Sequence, residues 1–291
     1  MLNKIAYKYF GGIVKPYLKH FDPLKEELVK ADMHVSLHEY VSNMALVSFM
    51  ILLVGWPTLS LLLGLAFGYA KVSSVALAFT LSFTVSLMLS VAALAGMYYY
   101  PSISAGSRKR KIENSLPFGT MYMATIASSG ATPSKMFKII SDFSEFGELS
   151  REVSRIYTDT EIFGMDIKTA LQKAAERTPS EKFKDLLWGL STIITTGGNM
   201  SEYLREKSKS YMADFRRSIK DYSEQMSLYI EMYITLIIVG SVFFLKLSAV
   251  MTAISPTSSI ISIQFFVIFI FLPLVSIGFI FLSKGISPTE E

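Results

Sequence analysis

The sequence predicts an all-α, polytopic membrane protein with four transmembrane helices and a cytoplasmic six-helix bundle. Three observations support this class. Hydrophobic residues make up 51% of the 291-residue chain, and they concentrate in four runs, each long enough to cross a bilayer. A polar middle segment separates the first two runs from the last two. That segment has the 3.6-residue periodicity of amphipathic helices and lacks the alternation typical of strands.

Residues 1–43 are predicted to form a cytoplasmic amphipathic arm. Its apolar residues recur every four positions, as in Ile5, Tyr9 and Ile13, with lysines between them. This pattern is typical of a helix that lies on an anionic membrane surface. A solvated arm packed on the protein's own domain accounts for the pattern equally well, so both interpretations stay open at this point.

A first transmembrane hairpin is predicted over residues 44–100. The stretches Met44–Ala70 and Val72–Gly106 contain no charged residue. Because a spanning helix needs about twenty apolar residues, two spans fit, at 44–66 and 74–98.

The polar middle, residues 101–225, is predicted to be the cytoplasmic domain. Six helical stretches are expected in it, at 110–129, 133–145, 148–163, 167–177, 179–196 and 199–225. Three glycines spaced thirty-four residues apart, Gly130, Gly164 and Gly198, are expected to end helices in the left-handed conformation. Glycine adopts that conformation at little cost.

Helix starts in the middle domain are indicated by capping residues. Thr132 precedes a proline, and Asp166 precedes the next helical stretch. The segment Thr178-Pro179-Ser180-Glu181 fits a capping box with proline in the first turn. The middle domain is therefore expected to consist of short helices joined by tight turns.

A second transmembrane hairpin is predicted over 226–283, followed by a cytoplasmic tail at 284–291. Its apolar runs are Met226–Val250 and Ile260–Leu282. Neither glycine nor proline occurs from Met200 to Val239, and these are the residues that most often interrupt helices. The sixth helix of the middle domain is therefore expected to continue into the third span without a break.

The distribution of basic residues predicts the orientation. With four spans, the arm, the middle domain and the tail fall on one side, which carries the cluster Arg108–Lys111. The opposite side carries only Lys71 and Lys246. Because positively charged loops stay in the cytoplasm, both termini and the middle domain are predicted to be cytoplasmic in a multi-pass cell-membrane protein. The net charge of +4 fits this asymmetry, and no nucleic acid is predicted as a partner.

The sequence offers few groups for catalysis. It contains no cysteine, and its three histidines all precede residue 39, so a Ser–His pair inside the middle domain is excluded. His34 and His38 share a helical face, but Val35 stands where a zinc-protease motif needs glutamate. The domain's carboxylates are interpreted as a solvated surface among basic residues; they include Glu113, Asp142, Glu148 and Asp185. We therefore predict no enzymatic activity, no cofactor and no metal site.

Short motifs in the middle segment resemble the type II secretion F domain over about residues 110–225. In chain order the motifs are Glu113–Pro117, Ala127–Gly130, Phe163-Gly164, Ala170-Leu171, Thr196–Met200 and Tyr203-Leu204. The flanking motifs Leu24–Ala31, Tyr40–Ser42 and Leu228–Tyr233 resemble the archaeal branch of that family. This branch includes platform proteins of archaella and of archaeal type IV-like pili, and it is similar to tight-adherence pilus platforms.

The resemblance implies a non-enzymatic membrane platform protein with a single F domain. Such proteins couple a cytoplasmic hexameric secretion ATPase to the extraction of pilin or archaellin-like subunits from the bilayer and to their addition to a filament. A single F domain implies pairing with a second copy or with a sister platform protein. The alternative is a small four-span transporter or channel, because Pro57 and Pro273 interrupt two of the spans.

Two groups of basic residues are candidate contact sites. Those beside the second and third spans are expected to meet anionic membrane lipids: Arg108, Lys109, Arg110, Lys111, Arg216, Arg217 and Lys220. Those around the starts of two middle helices are the candidates for ATPase docking: Lys168, Lys173, Lys182 and Lys184.

Overall fold

The computed structural model describes residues 10–12, 14–69, 75–254 and 258–286. Within these ranges every regular element is a helix, which confirms the all-α class. The α-helices are α1 (Asp22–Lys30), α2 (Leu37–Tyr69), α3 (Val75–Ser128), α4 (Pro133–Ser141), α5 (Glu148–Tyr157), α6 (Ile167–Arg177), α7 (Glu181–Thr196), α8 (Met200–Tyr233), α9 (Gly240–Ile254), α10 (Ser258–Phe266) and α11 (Leu272–Ile286). Short 3₁₀ segments lie at Lys15–Phe21 and Ser144–Phe146, and π segments at Thr158–Ile162, Ile234–Val239 and Val267–Phe271.

Four helical stretches have the length and apolar composition to cross a membrane, as predicted. They are Leu37–Phe67, Ala76–Ser128, Met200–Ile254 and Ser262–Phe281. The chain divides into two compact units. One contains the residues up to Gly119 with Ile126–Met200, and the other contains Thr120–Thr125 with the residues from Ser201 onward. Helices of the middle segment belong to both units, so the compact six-helix bundle and the boundary at 225 stay predictions.

The arm packs on the first hairpin. Leu24 and Leu28 of α1 are buried in one cluster with Tyr40, Val41 and Met44 at the start of α2. This burial removes the apolar face of α1 from water and from lipid alike, which favours the self-packed interpretation of the arm over a helix on the membrane surface. The lysine-rich beginning of the arm, with Ile5 and Tyr9, lies outside the described residues.

Serine side chains join the two helices of the first hairpin. The Ser48 and Ser90 hydroxyls lie 2.6 Å apart, and Ser90 Oγ also donates to the Ser48 carbonyl over 3.0 Å. A Cβ placed on Gly55 would lie 3.1 Å from Ser86 Oγ, so only a small residue allows this approach. Small residues of this kind let membrane helices approach closely. The predicted turn near Lys71 lies outside the described residues.

The second span and the first helix of the middle segment form one helix. We predicted separate helices at 74–98 and 110–129, and this separation was wrong. Pro101 and Pro117 both lie inside α3. One face of α3 is buried, including Ile112 and Leu116, and this packing outweighs the lost hydrogen bonds. The predicted continuity from Met200 into the third span is confirmed, because α8, a π segment and α9 follow one another without interruption.

Two of the three predicted glycines occupy left-handed positions, and the third prediction was one residue late. Gly130 and Gly164 have φ angles of 78° and 64°. At the end of α7 the left-handed residue is Gly197, with φ 74°. Gly198 follows it and donates its N–H to the Ile193 carbonyl over 3.0 Å, the bond that closes such a helix end.

Two predicted helix caps are confirmed, and a third lies two residues later in the chain. Thr132 and Asp166 cap α4 and α6, since their side chains accept backbone N–H groups. The cap of α7 is Ser180 rather than Thr178, because Ser180 Oγ accepts from the Phe183 N–H over 3.2 Å. Thr178 instead accepts from the Ser180 N–H over 3.3 Å, which forms a turn just before the helix.

Cysteine labelling tests the predicted orientation cleanly, because the chain contains no cysteine. We expect Ser73→Cys and Ser258→Cys to react with an impermeant maleimide in intact cells, since both outer turns should face outward. Ser144→Cys should react only after the cells are opened. Ser144 is exposed, so a lack of labelling there reports topology, whereas Ser180 is fully buried and would stay unlabelled on either side. Labelling of Ser144→Cys in intact cells would contradict the orientation.

Candidate functional site

A buried glutamate stands in the apolar stripe of α5. Leu149, Val153 and Ile156 have no exposed surface, and Glu152, on the same face, has none either. An ionised carboxylate loses several kcal/mol of hydration in such a place, unless charged partners and hydrogen bonds replace the water. Its partners therefore define the centre of this part of the protein.

Glu152 joins α5 to two other helices. Its Oε1 accepts a hydrogen bond from Arg108 Nη2 of α3 over 2.7 Å. Its Oε2 accepts from Arg177, the last residue of α6, with Nη2 at 3.1 Å and Nε at 3.3 Å. Arg155 Nη1 lies 3.7 Å from Oε1. One carboxylate thus contacts three guanidinium groups from three helices.

The arm enters the same network. Arg108 donates to Glu148 Oε2 over 3.1 Å and to the carbonyl oxygen of Lys30 over 2.6 Å. Arg155 holds Asp32 through two parallel hydrogen bonds, of which Nη1 to Oδ1 measures 2.6 Å. Asp32 has a φ of 60°, a left-handed conformation that aspartate tolerates better than most residues. This geometry aims its carboxylate at α5.

The network joins three buried or half-buried arginines to three carboxylates, and the exposed Arg151 adds a further contact to Glu148 Oε1 at 2.5 Å. It contains the arginines Arg108, Arg155 and Arg177 and the carboxylates Asp32, Glu148 and Glu152. Planar guanidinium groups bind carboxylates in fixed, directional pairs. The network therefore specifies how the arm, α3, α5 and α6 sit together, and no member can be removed without leaving an opposite charge in a poorly hydrated place.

These contacts determine the protonation states of Asp32 and Arg155. Burial disfavours the ionised form of Asp32, but the hydrogen bonds and charge of Arg155, with the charges of Arg108 and His34, outweigh it and lower the pKa of the carboxyl. For Arg155, the hydrogen bonds to Asp32 raise the pKa against the opposing effect of burial. The pair is therefore charged throughout the neutral range.

An open cleft of about 380 Å³ lies beside the network. Its lining comprises Val29, Asp32, Met33, His34, Arg155, Thr158, Asp159, Phe163 and Arg177. Its charged walls are already paired, because Asp159 contacts Lys173 at 3.3 Å and the arginines bind the network. Among the described residues, no group of three histidine, aspartate or glutamate side chains could hold a metal ion. We find no constellation for covalent or metal chemistry in the described part of the chain.

The predicted ATPase-docking lysines lie on two helices. Lys168 and Lys173 belong to α6, and Lys182 and Lys184 to α7. Lys168, Lys173 and Lys182 are exposed, and Lys184 is half-buried. Lys184 contacts Glu181 at 3.6 Å. All four remain candidates, and no contact in the structure tests their role.

The predicted membrane-surface group needs one correction. Lys109, Arg110 and Lys111 are exposed on α3, and Arg216, Arg217 and Lys220 on α8. Arg108 is buried and paired, so its assignment to the membrane surface was wrong. A charge run in sequence covers all sides of a helix, and here one member of the run points inward.

Sequence reasoning also missed the acidic half of the network. Glu148 was interpreted as part of a solvated surface, but it accepts from Arg108, and Glu152 was not recognised at all. The available signal was positional: Glu152 follows Leu149 by three residues and precedes Ile156 by four, so it shares their helical face. Its hydrogen-bond partners are Arg108 and Arg177, and such distant pairings are not visible in a single sequence.

Comparison with known families gives a match to part of the chain. Residues 120–247 match the sequence profile described as type II secretion system protein F. The match begins within α3 and ends inside the third apolar helix. It confirms the resemblance inferred from the short motifs, and this part of the chain is similar to the F domain.

Individual relatives are archaeal. Flagella accessory protein J of Methanocaldococcus jannaschii is 28% identical over 171 residues, which cover 58% of this chain and 30% of that protein. An uncharacterised protein of the same organism is 23% identical over 197 residues, covering 66% and 33%. Flagella accessory protein J of Methanococcus voltae is 24% identical over 158 residues, covering 54% and 28%. The chain thus spans about a third of the length of these relatives. No solved structure matches it.

Neutralising Glu152 tests the network. Glu152→Gln keeps the side-chain size but leaves Arg108 and Arg177 without their shared anion. Breaking a buried ion pair on one side costs about 3–5 kcal/mol, so the melting temperature of the purified full-length protein should fall clearly. Glu145→Gln, an exposed change in the turn before α5, should leave it unaltered. Equal melting temperatures for both variants would show that Glu152 does not stabilise the fold.

The pair of Asp32 and Arg155 should give a pH-dependent contribution. Because the pKa of Asp32 is lowered in the folded protein, its stabilisation is complete above the unfolded value of about 4 and disappears as pH falls through the folded value. Asp32→Asn retains the left-handed preference and removes the charge. We expect it to cost roughly 1–3 kcal/mol at pH 7, with the difference from wild type shrinking below about pH 4. A difference that stays constant down to pH 3 would contradict the assignment.

Proposed function

We propose that this chain is a membrane platform protein of an archaellum-type or pilus-type assembly machine. It is proposed to couple a cytoplasmic hexameric secretion ATPase to the extraction of pilin or archaellin-like subunits from the membrane and to their addition to a filament. In this function it is not itself an enzyme, and it works with a second copy or a sister platform protein. The similarity to the F domain at 120–247 and the names of two archaeal relatives support this assignment.

The observation that carries the proposal is the continuity of the long helices. Val75–Ser128 contains 54 residues, about 80 Å of helix at 1.5 Å per residue. Its first part is apolar and charge-free, and its later part carries the buried face of the middle segment. Met200–Ile254 likewise joins charged turns to a span. A displacement of the polar part of either helix is transmitted directly to the apolar part, because no loop intervenes to absorb it.

The ion network extends this coupling to the first span. Arg155 holds Asp32 and Arg108 holds the Lys30 carbonyl, and both lie just before Leu37, where α2 begins. A load applied to α5 or α6 therefore reaches two spans, α2 through the arm and α3 directly. Buried, bidentate ion pairs resist such a load better than exposed pairs, because they exchange poorly with water.

We propose that ATPase contact involves the lysines of α6 and α7. Charges at such a surface mainly steer association and fix partner choice, and salt screens them over about 8–10 Å. The four lysines divide by helix into a Lys168/Lys173 pair and a Lys182/Lys184 pair. Reversing each pair separately can therefore locate the contact.

The test uses the full-length protein in lipid nanodiscs and the purified secretion ATPase from the same genome. Reversal of all four lysines to glutamate should weaken binding about tenfold or more at low salt, and raising the salt should weaken wild-type binding toward the same level. The matched control is Lys135→Glu with Lys138→Glu, two exposed lysines of α4, which should retain binding. The docking assignment is wrong if the control weakens binding as much, or if reversal of Lys109, Arg110 and Lys111 alone abolishes it.

A further inference from the structure

Two large apolar side chains of the middle segment are almost fully exposed. Ile162 is 69% and Phe163 is 72% exposed. They follow α5 at the end of the π segment Thr158–Ile162, just before Gly164 with its positive φ. π segments frequently occur at functional positions. Exposed neighbours of this kind mark contact surfaces, and their surroundings indicate which partner they meet.

Contacts place the last turn of α5 beside the loop that leads into α2. Glu148 and Glu152, in the first part of α5, both contact Arg108 of α3. Further along α5, Arg155 holds Asp32, five residues before α2 begins at Leu37. The end of α5 therefore lies beside this loop.

The start of α2 lies at the level of an aromatic run in α3. Tyr40 of α2 donates a hydrogen bond to the Met97 carbonyl of α3 over 2.8 Å. Met97 directly precedes Tyr98–Tyr100. Tyr99 and Tyr100 are exposed, as in the aromatic belts that mark membrane boundaries. The loop before α2 therefore lies close to this boundary.

The cleft connects Phe163 to the same loop. Phe163 lines it together with Met33 and His34, which lead into α2. The headgroup layer on each side of a bilayer is about 5–8 Å thick, so an outward-pointing Phe163 is within reach of it.

We propose that Ile162 and Phe163 insert into the membrane interface, where they form a lipid contact of the middle segment in addition to its spans. Apolar burial drives the contact rather than charge, because the charged residues flanking the pair, Glu161, Asp166 and Lys168, sum to a net negative charge. Binding therefore does not require anionic lipid.

A single-cysteine experiment tests the proposal in the full-length protein. Phe163→Cys is labelled with the polarity-sensitive dye NBD, and the protein is placed in phosphatidylcholine nanodiscs with or without a lipid carrying a nitroxide on its headgroup. Emission at 163 should be blue-shifted and quenched about twofold or more by the nitroxide lipid. Ile162→Cys should behave alike. The matched control is Ser144→Cys, an exposed turn at the other end of α5, whose dye should stay water-like and unquenched.

Each other outcome overturns the proposal. Water-like, unquenched emission at both 162 and 163 would place the turn in solvent. A blue shift without quenching would mean that protein, from a partner or a second copy, covers the turn instead of lipid. Quenching only when anionic lipid is added would replace the apolar contact by an electrostatic one. Both positions are exposed, so their substitution should leave the melting temperature unchanged, and this is checked first.

Discussion

The carboxylate of Glu152 is the interaction on which the described structure depends. It is fully buried, and its two oxygens receive hydrogen bonds from arginines on α3 and α6. Apolar packing alone would leave these helices free to slide, since many registers bury similar areas. A directional ion network selects one of them. Its stabilisation is largely offset by the desolvation of six charged groups, so its main contribution is a unique arrangement.

The network also decides which parts of the chain move together. In the described part of the arm, the 3₁₀ segment Lys15–Phe21 and α1 precede α2, and Arg108 and Arg155 both bind residues at or just after the end of α1. Without these bonds the loop between α1 and α2 would be a simple linker. With them, the first span follows α5, and the second follows it through α3. In the proposed platform function, the polar segment would therefore act on the first hairpin at two points.

Features with local causes could be predicted from the sequence, and those with distant causes could not. Runs of apolar residues predicted all four spans, and the absence of glycine and proline predicted the unbroken helix after Met200. Glycine spacing predicted the left-handed helix ends at Gly130 and Gly164 but placed the third at Gly198 instead of Gly197. The gap predicted between residues 98 and 110 is absent, because α3 continues through Pro101. Arg108 looked like one of four equivalent surface charges, because its partners Glu148 and Glu152 lie forty or more residues away in sequence.

The serine contacts of the first hairpin have a mechanical consequence. The hydroxyls of Ser48 and Ser90 lie within hydrogen-bond distance of each other, and each donates to the other residue's carbonyl. A serine hydroxyl in a helix can instead donate to the carbonyl one turn earlier in its own helix. Separation of α2 from α3 therefore leaves no polar group unsatisfied in the lipid. Opening the ion network outside the spans instead breaks direct ion pairs that only entering water can replace. The first hairpin can therefore deform within the bilayer, where α2 and α3 can separate, whereas the ion network keeps the segment outside the bilayer rigid.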